Sequence, residues 1–201
     1  MDLEPAVEAK LRAFADLVAA SPHNLVSKRA RTELMSRHVP ECVAFAAQLP
    51  TGPQRVLDVG SGGGFPGLVL AIVRPELDMH LLDSTAKKTE FLEEAARLIG
   101  VDVTVHTGRV EAAAEGELAG SFDVVTARAL APLDRLVAWT LPFLRSGGVL
   151  CAIKGERWAQ ELQEAQAVLA RLGGRVVGTP PPEGEAADGA TPRVVMIANE
   201  H

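Results

Sequence analysis

The sequence predicts an α/β fold, a doubly wound, mostly parallel sheet with helices on both faces. Three observations carry this. From residue 55 onward, strand-like and helix-like segments alternate, which implies βαβ units. A glycine-rich turn follows the first of those strands. The last two strand-like segments have no helix between them, so they close the sheet as an antiparallel pair.

The elements follow from periodicity and punctuation. Leu3, Val7, Leu11, Phe14, Leu17 and Val18 recur at spacings of three and four and define a helix over residues 3–20, broken by Ser21-Pro22. A second helical stretch runs over 32–49, with a kink or split expected at Pro40. Pro50-Thr51-Gly52-Pro53 is the best internal boundary, dividing a short helical extension (1–50) from the main domain (51–201). Strands are expected at 55–59, 79–83, 101–106, 122–127, 149–153, 175–179 and 193–197. Helices are expected at 66–73, 87–99, 132–144 and 158–172, with Pro66 suited to a first helical turn and Gly100 and Gly173 as stops. The segment 180–192 is rich in Pro, Gly, Ala and acid and reads as a mobile loop.

Composition narrows the function classes. The 201 residues are 47% hydrophobic and 23% charged, an ordinary globular balance that argues against disorder of the whole chain. A net charge of −6 opposes blanket binding to nucleic acid or anionic membrane, yet leaves room for a local basic patch. Residues 10–38 carry six basic side chains (Lys10, Arg12, Lys28, Arg29, Arg31 and Arg37) against two acidic ones, whereas 155–201 carry four against seven. An RNA partner should therefore approach the N-terminal side, joined by Lys87, Lys88 and Arg157; the bland alternative is a solvated helical face. Cys42 and Cys151 are too few for a disulfide framework or a four-cysteine zinc site, and His23 and His38 lack a third ligand, so no metal is expected. The start of the chain has no apolar signal region and the run 68–73 is too short for a bilayer, so a reduced, cytoplasmic setting without membrane is expected.

The turn Asp58-Val59-Gly60-Ser61-Gly62-Gly63-Gly64-Phe65-Pro66-Gly67 admits two registers. Gly62, Gly64 and Gly67 satisfy the dinucleotide spacing; Asp58, Gly60, Gly62 and Gly64 satisfy Asp-x-Gly-x-Gly-x-Gly. A dinucleotide would bring pyrophosphate against a carboxylate at Asp58, which repels it. S-adenosylmethionine has no phosphate and carries an ammonium and a sulfonium, which Asp58 attracts directly or through water. Charge therefore favours S-adenosylmethionine, with Asp83 at the next strand end placed to accept ribose hydroxyls in either register. No Lys-Ser/Thr pair follows the glycines, so this is not a P-loop.

These residues, with Arg74-Pro75-Glu76, Leu81-Leu82-Asp83-Ser84, Lys87-Lys88, Phe91-Leu92, Arg109-Val110-Glu111, Ala127-Arg128-Ala129 and Ile153-Lys154-Gly155, resemble the glucose-inhibited division protein B family. Its members, also called ribosomal small-subunit methyltransferase G, are 16S ribosomal RNA guanine-N7 methyltransferases. Asn24-Leu25 and Arg37-His38 match further family elements, and the likeness covers residues 24–155. The chain departs from the family pattern with Val26 in place of Thr and Glu41-Cys42 in place of Asp-Ser. The resemblance implies a Rossmann-like class I S-adenosylmethionine-dependent methyltransferase fold with a seven-stranded sheet. It further implies that Gly60 and Phe65 line the methionine side of the cofactor, that Val110 and Glu111 contact the adenine, and that Arg128 lies beside the site. Glu111 reads equally as an acid at a helix start, and Phe65 as either a base-stacking or a packing residue.

The residues also bear on the target atom. Cys151 reads as a buried apolar residue, not a thiolate nucleophile for cytosine C5. The position after the fourth strand reads Thr126-Ala127-Arg128-Ala129, so the Pro-Pro-aromatic element common in amine methylation is missing. Guanine N7 has an in-plane lone pair and needs alignment more than a base. Arg128 and Lys154, at the ends of adjacent strands, are the expected acceptor-orienting residues, through guanine O6 or phosphate; ordinary ion pairing is the other reading. The expected activity is thus methyl transfer to guanine N7 in 16S rRNA or the small ribosomal subunit, by a monomer. A small-molecule or protein acceptor, a nicotinamide-dependent oxidoreductase and a non-catalytic RNA-binding protein are the alternatives.

Overall fold

The computed structural model describes residues 3–181 and 191–201. Helix α1 (Pro5–Ala20) leads into α2 (Lys28–Thr32), whose first turn is capped by Ser27 Oγ accepting from the Ala30 amide. A π-helical turn over Leu34–His38 then hands the chain to α3 (Val39–Ala46). The helical stretch expected over 32–49, with a kink or split at Pro40, is divided between the end of α2, the π-helical turn and α3. Pro40 falls in the first turn of α3, where its missing N–H costs nothing, and the break lies just ahead of it.

The sheet is built from β1 (Arg55–Val59), β2 (Asp78–Asp83), β3 (Thr104–Thr107), β4 (Phe122–Arg128), β5 (Leu144–Lys154), β6 (Gly174–Gly178) and β7 (Arg193–Asn199). Its order is β3-β2-β1-β4-β5-β7-β6. The β1–β2, β1–β4, β2–β3 and β4–β5 pairs are parallel, and β7 runs antiparallel to both neighbours. This is the Rossmann-like, seven-stranded mixed sheet that the alternating pattern implies. Strand order reverses between β1 and β4, so a crevice opens there at the C-terminal strand ends.

Helices α4 (Gly67–Val73), α5 (Ala86–Ile99), α6 (Val110–Ala113), α7 (Leu133–Thr140), α8 (Trp158–Glu164) and α9 (Gln166–Leu172) complete the fold. Alternate strand residues feed two cores. Val56, Met79, Leu81 and Val124 pack with α1, α3, α4 and α5 on one face; Leu57, Val59, Leu82 and Val125 pack with α7 and α9 on the other. The apolar faces of α1 and α3 thus share the core of the first layer.

Several boundaries differ from expectation for local reasons. The third strand starts at Thr104, because Gly100 is left-handed and the Val101 amide is still capping Ala96 O of α5. The helix expected to reach Leu144 stops at Thr140 and tightens into a 3-10 turn at Leu141–Phe143, where Pro142 lacks a donor. Strand β5 starts at Leu144, earlier than the expected Val149, because Leu144 already pairs with Phe122 across a register shift. The expected helix 158–172 is divided at Ala165, and the one-turn α6 has no strong periodic signal. Pro66 precedes α4 as its cap residue. The expected mobile loop 180–192 lies largely outside the described residues.

Candidate functional site

The glycine-rich turn leaves β1 at Val59, and Gly60, Gly62 and Gly64 all take positive φ (+73°, +54° and +93°). Amides of Gly60 and Ser61 both donate to Leu82 O, at 2.8 and 3.1 Å, tying the turn to the end of β2. The Gly62 amide donates to Asp83 Oδ2 at 3.0 Å, and Thr85 N donates to Asp83 Oδ1 at 2.9 Å. Two backbone donors therefore orient the Asp83 carboxylate at the rim of the crevice, with Lys88 Nζ 3.7 Å away.

Asp58 is committed to the fold through both carboxylate oxygens. Its side chain lies beneath the turn and lines neither cavity described below. Oδ1 accepts from Thr126 Oγ1 at 2.8 Å and Oδ2 from the Gly67 amide at 3.2 Å. It joins β1, β4 and the start of α4, and so holds the turn in shape. Burial pushes its carboxyl up to about 7, against the pull of the Thr126 and Gly67 donors.

A cavity of about 340 Å³ opens over the strand ends. Gly60, Asp83, Arg109, Val110, Glu111 and Arg128 contribute to its wall, with Leu130 and Trp139 closing one side. The left-handed φ favours glycine at position 60, and a Cβ there would also lie 2.6 Å from Leu130 Cδ1, the tip of an exposed side chain. Across Gly60 and Arg128 lies a second cavity of about 230 Å³, walled by Leu25, Val26, His38, Gly62, Gly63 and Phe65 among others. The two cavities share Gly60, Arg128 and Ala129. Phe65 packs on Phe14 with ring centroids 4.9 Å apart while lining the second cavity.

Arg128 is the link between them. One terminal nitrogen donates to His38 Nδ1 at 2.6 Å and to Glu41 Oε2 at 2.7 Å, and the other approaches Cys42 Sγ at 3.6 Å. Because His38 accepts at Nδ1, its proton sits on Nε2, which is buried and has no partner among the described residues. Burial, reinforced by the Arg128 charge, holds the His38 pKa below its ordinary value. Two of the three positions that depart from the family pattern, Glu41 and Cys42, thus meet this guanidinium beside the family-matching His38. Burial pushes the Cys42 and Cys151 thiols up to about 12, so neither is a nucleophile at neutral pH.

The structure brings Gly60, Asp83, Val110, Glu111 and Arg128 to one cavity and Gly60, Gly62, Phe65 and Arg128 to the other. It leaves out three predicted residues. Asp58 is under the turn. Gly64 faces α1, where a Cβ would meet Phe14 Cζ at 2.9 Å. Lys154 lines neither cavity: its ammonium donates to Ala131 O at 2.9 Å and pairs with Glu161 at 2.6 Å. Glu161 is a partner that the sequence reading did not consider. Leu130, Trp139 and His38 are wall residues missed earlier; only the His38–Glu41 spacing of three on a helix was a local cue. The N-terminal cations divide. Arg31 donates to Ala19, Ser21 and His23 carbonyls and Lys10 to Gly100 O, so both tie backbone; Arg12, Arg29 and Arg37 form exposed pairs with Glu8 or Glu33.

No three-ligand metal cluster occurs and no helix is long and apolar enough to cross a membrane, among the described residues.

Comparison with known proteins adds identity to this geometry. Residues 7–184 match the GidB family, described as rRNA small subunit methyltransferase G. A Thermobifida fusca ribosomal RNA small subunit methyltransferase G is 44% identical over 161 residues, 79% of this chain and 66% of that protein. The Mycolicibacterium gilvum protein of the same description is 39% identical over 84% of this chain and 74% of its own length. The one from Salinispora tropica is 46% identical over 75% and 64%. The chain thus spans about two thirds to three quarters of these relatives. In fold it is similar to a predicted O-methyltransferase from Agrobacterium tumefaciens (TM-score 0.61, 18% identity, 80% of this chain and 81% of that one). A ribosomal protein L11 methylase from Lactobacillus delbrueckii gives TM-score 0.60 at 19% identity, covering 80% and 77%.

Proposed function

Since the chain belongs to the rRNA small subunit methyltransferase G family, we propose that it transfers the methyl group of S-adenosylmethionine to N7 of a guanine in 16S ribosomal RNA. The observation that carries this reading is the pair of cavities meeting over Gly60 and Arg128 at the strand-order reversal. The larger has the features the cofactor needs. A glycine-rich turn lets backbone approach the methionine portion, Asp83 is oriented for a ribose diol, and Val110 and Glu111 are the proposed adenine-edge partners. When bound there, the cofactor supplies an electrophilic sulfonium methyl group.

The chain's own residues supply alignment. Phe65 walls the second cavity and offers a face for a base, and Arg128, which lines both cavities while its terminal nitrogens bridge to α3, is the proposed donor to guanine O6 or phosphate. No general base is needed at N7, which agrees with thiols held protonated and with Asp58 kept beneath the turn. In this reading residues 1–50 form the RNA-facing extension and 51–201 the catalytic domain. The exposed Lys28 and Arg29 on α2, beside the Ser27 and Ala30 wall of the second cavity, meet the phosphate backbone. The substrate partner is the small ribosomal subunit or its RNA, and the protein acts as a cytoplasmic monomer.

Incubation with methyl-labelled S-adenosylmethionine and small subunits lacking N7-methylguanine, then borohydride reduction and aniline scission, should give one new cleavage in 16S RNA. Cofactor binding without label in RNA would overturn the acceptor assignment and favour a protein or small-molecule acceptor.

A further inference from the structure

The wall shared by the two cavities is a short loop, and little of its own backbone holds it. After Arg128 the chain turns at Ala129, the one non-glycine residue with positive φ (+50°) among those described. It then places Leu130 against Gly60 and enters α7 at Leu133. Such a turn persists only where surrounding contacts enforce it. Between Leu130 and α7 the polar contacts come from one ion pair. Lys154 Nζ, at the end of β5, donates to Ala131 O at 2.9 Å and lies 2.6 Å from Glu161 Oε2. The same Glu161 oxygen, on α8, accepts from the Leu133 amide at 3.0 Å. Both side chains are nearly shut off from solvent, at 7% and 14% exposure. The loop is thus gripped at its carbonyl by the cation and at its amide by the anion, two residues apart.

We infer that Lys154 and Glu161 are positioning residues that set the Arg128–Leu130 wall, and through it both cofactor affinity and acceptor alignment, without touching either ligand. The inference rests on the methyltransferase reading above. The two grips have fixed polarity: position 154 must donate to a carbonyl and position 161 must accept from an amide. A plain ion pair would have no such direction.

The test uses Lys154→Met, Glu161→Met and the double exchange Lys154→Glu/Glu161→Lys in the full chain. Circular dichroism and thermal unfolding first establish that each is folded; a variant that does not fold is replaced by Lys154→Leu or Glu161→Leu. In the protein without cofactor, amide exchange of a peptide covering 129–136 should be faster in every variant, with peptides of β1 and β2 unchanged. By calorimetry, S-adenosylmethionine should bind each variant roughly tenfold more weakly, within the range by which residues outside a site modulate it. The charge exchange should not restore binding. Unchanged loop exchange and cofactor Kd in a folded Lys154→Met, with methylation lost, would return Lys154 to direct acceptor contact and sink the positioning role. Recovery in the exchanged variant would reduce the pair to a bulk electrostatic brace. If wild type itself does not bind S-adenosylmethionine, the functional reading fails instead; the exchange data still report on the loop.

Discussion

At Gly60 the backbone takes φ +73°, and a Cβ would be 2.6 Å from Leu130 Cδ1. A Gly60→Ala protein therefore meets one main penalty. The left-handed backbone costs about 1–2 kcal/mol for an L-residue, and the added methyl also shifts the exposed Leu130 tip at the cavity wall. Thermal unfolding should show a modest loss, while S-adenosylmethionine binding by calorimetry should fall much more steeply. Full affinity in a destabilised Gly60→Ala would mean that the cofactor does not approach this backbone. Gly64 has a similar left-handed φ but a different neighbour, Phe14, so its replacement should act on stability ahead of binding.

Among the elements, β4 and α3 are joined by one guanidinium. Arg128 leaves the end of β4 and meets His38, Glu41 and Cys42, residues 86 to 90 positions away in the chain. Arg128→Met leaves Glu41, only 19% exposed, without its cation. Loss of a hydrogen bond to a charged group predicts destabilisation of roughly 1–3 kcal/mol. Urea unfolding of Arg128→Met against Glu41→Gln and the double variant should show strong non-additivity, since all three break one contact. Additive costs would show that the bridge does not form in solution. The same link explains why an N-terminal segment with few cues of its own reaches the site: α1 and α3 bury Phe14, Val18, Cys42 and Phe45 in the core of α4 and α5, and this orders the wall containing His38 and Leu25.

Across the whole molecule, buried titratable groups give stability two opposed slopes in pH. Asp58, pushed up from its ordinary 3.8 to about 7 by burial, keeps a proton that the unfolded chain has already released. Its contribution is complete below 3.8 and is lost as pH rises toward 7. The Tm of Asp58→Asn relative to wild type should therefore climb between pH 4 and 7; a flat difference would mean Asp58 ionises normally. His80 and His106 stack at 5.2 Å with Nδ1 and Nε2 2.9 Å apart. Burial holds both below 6.5, with His80 adding to the effect on His106. Their contribution is present above 6.5 and is lost as pH falls through the lower native values. His106→Gln should flatten the fall in Tm between pH 7 and 5, and an unchanged slope would exclude the pair as its source.

Much of this protein was determined by local sequence. Period-two and period-3.6 patterns placed all seven strands and most helices, because side chains must alternate or spiral to reach a core. Glycines at 60, 62 and 64 announced a ligand turn because only that residue accepts such φ values so close to other backbone. Asp83 and Arg128 were legible as strand-end residues, since the fold class puts strand ends at the crevice, whereas Val110 and Glu111, on α6 beyond β3, came from the family resemblance. What tertiary structure alone decided was where charged side chains spend their hydrogen bonds. Asp58 went under the turn to Thr126, Lys154 to Ala131 and Glu161, and Arg128 to α3. Apart from the short Lys154–Glu161 step, these partners lie 23 to 90 residues apart in the chain. The reason is physical: periodicity encodes which face a residue presents, but a buried polar group takes whichever partner the packed elements leave within 3 Å, and that is set by the assembled fold.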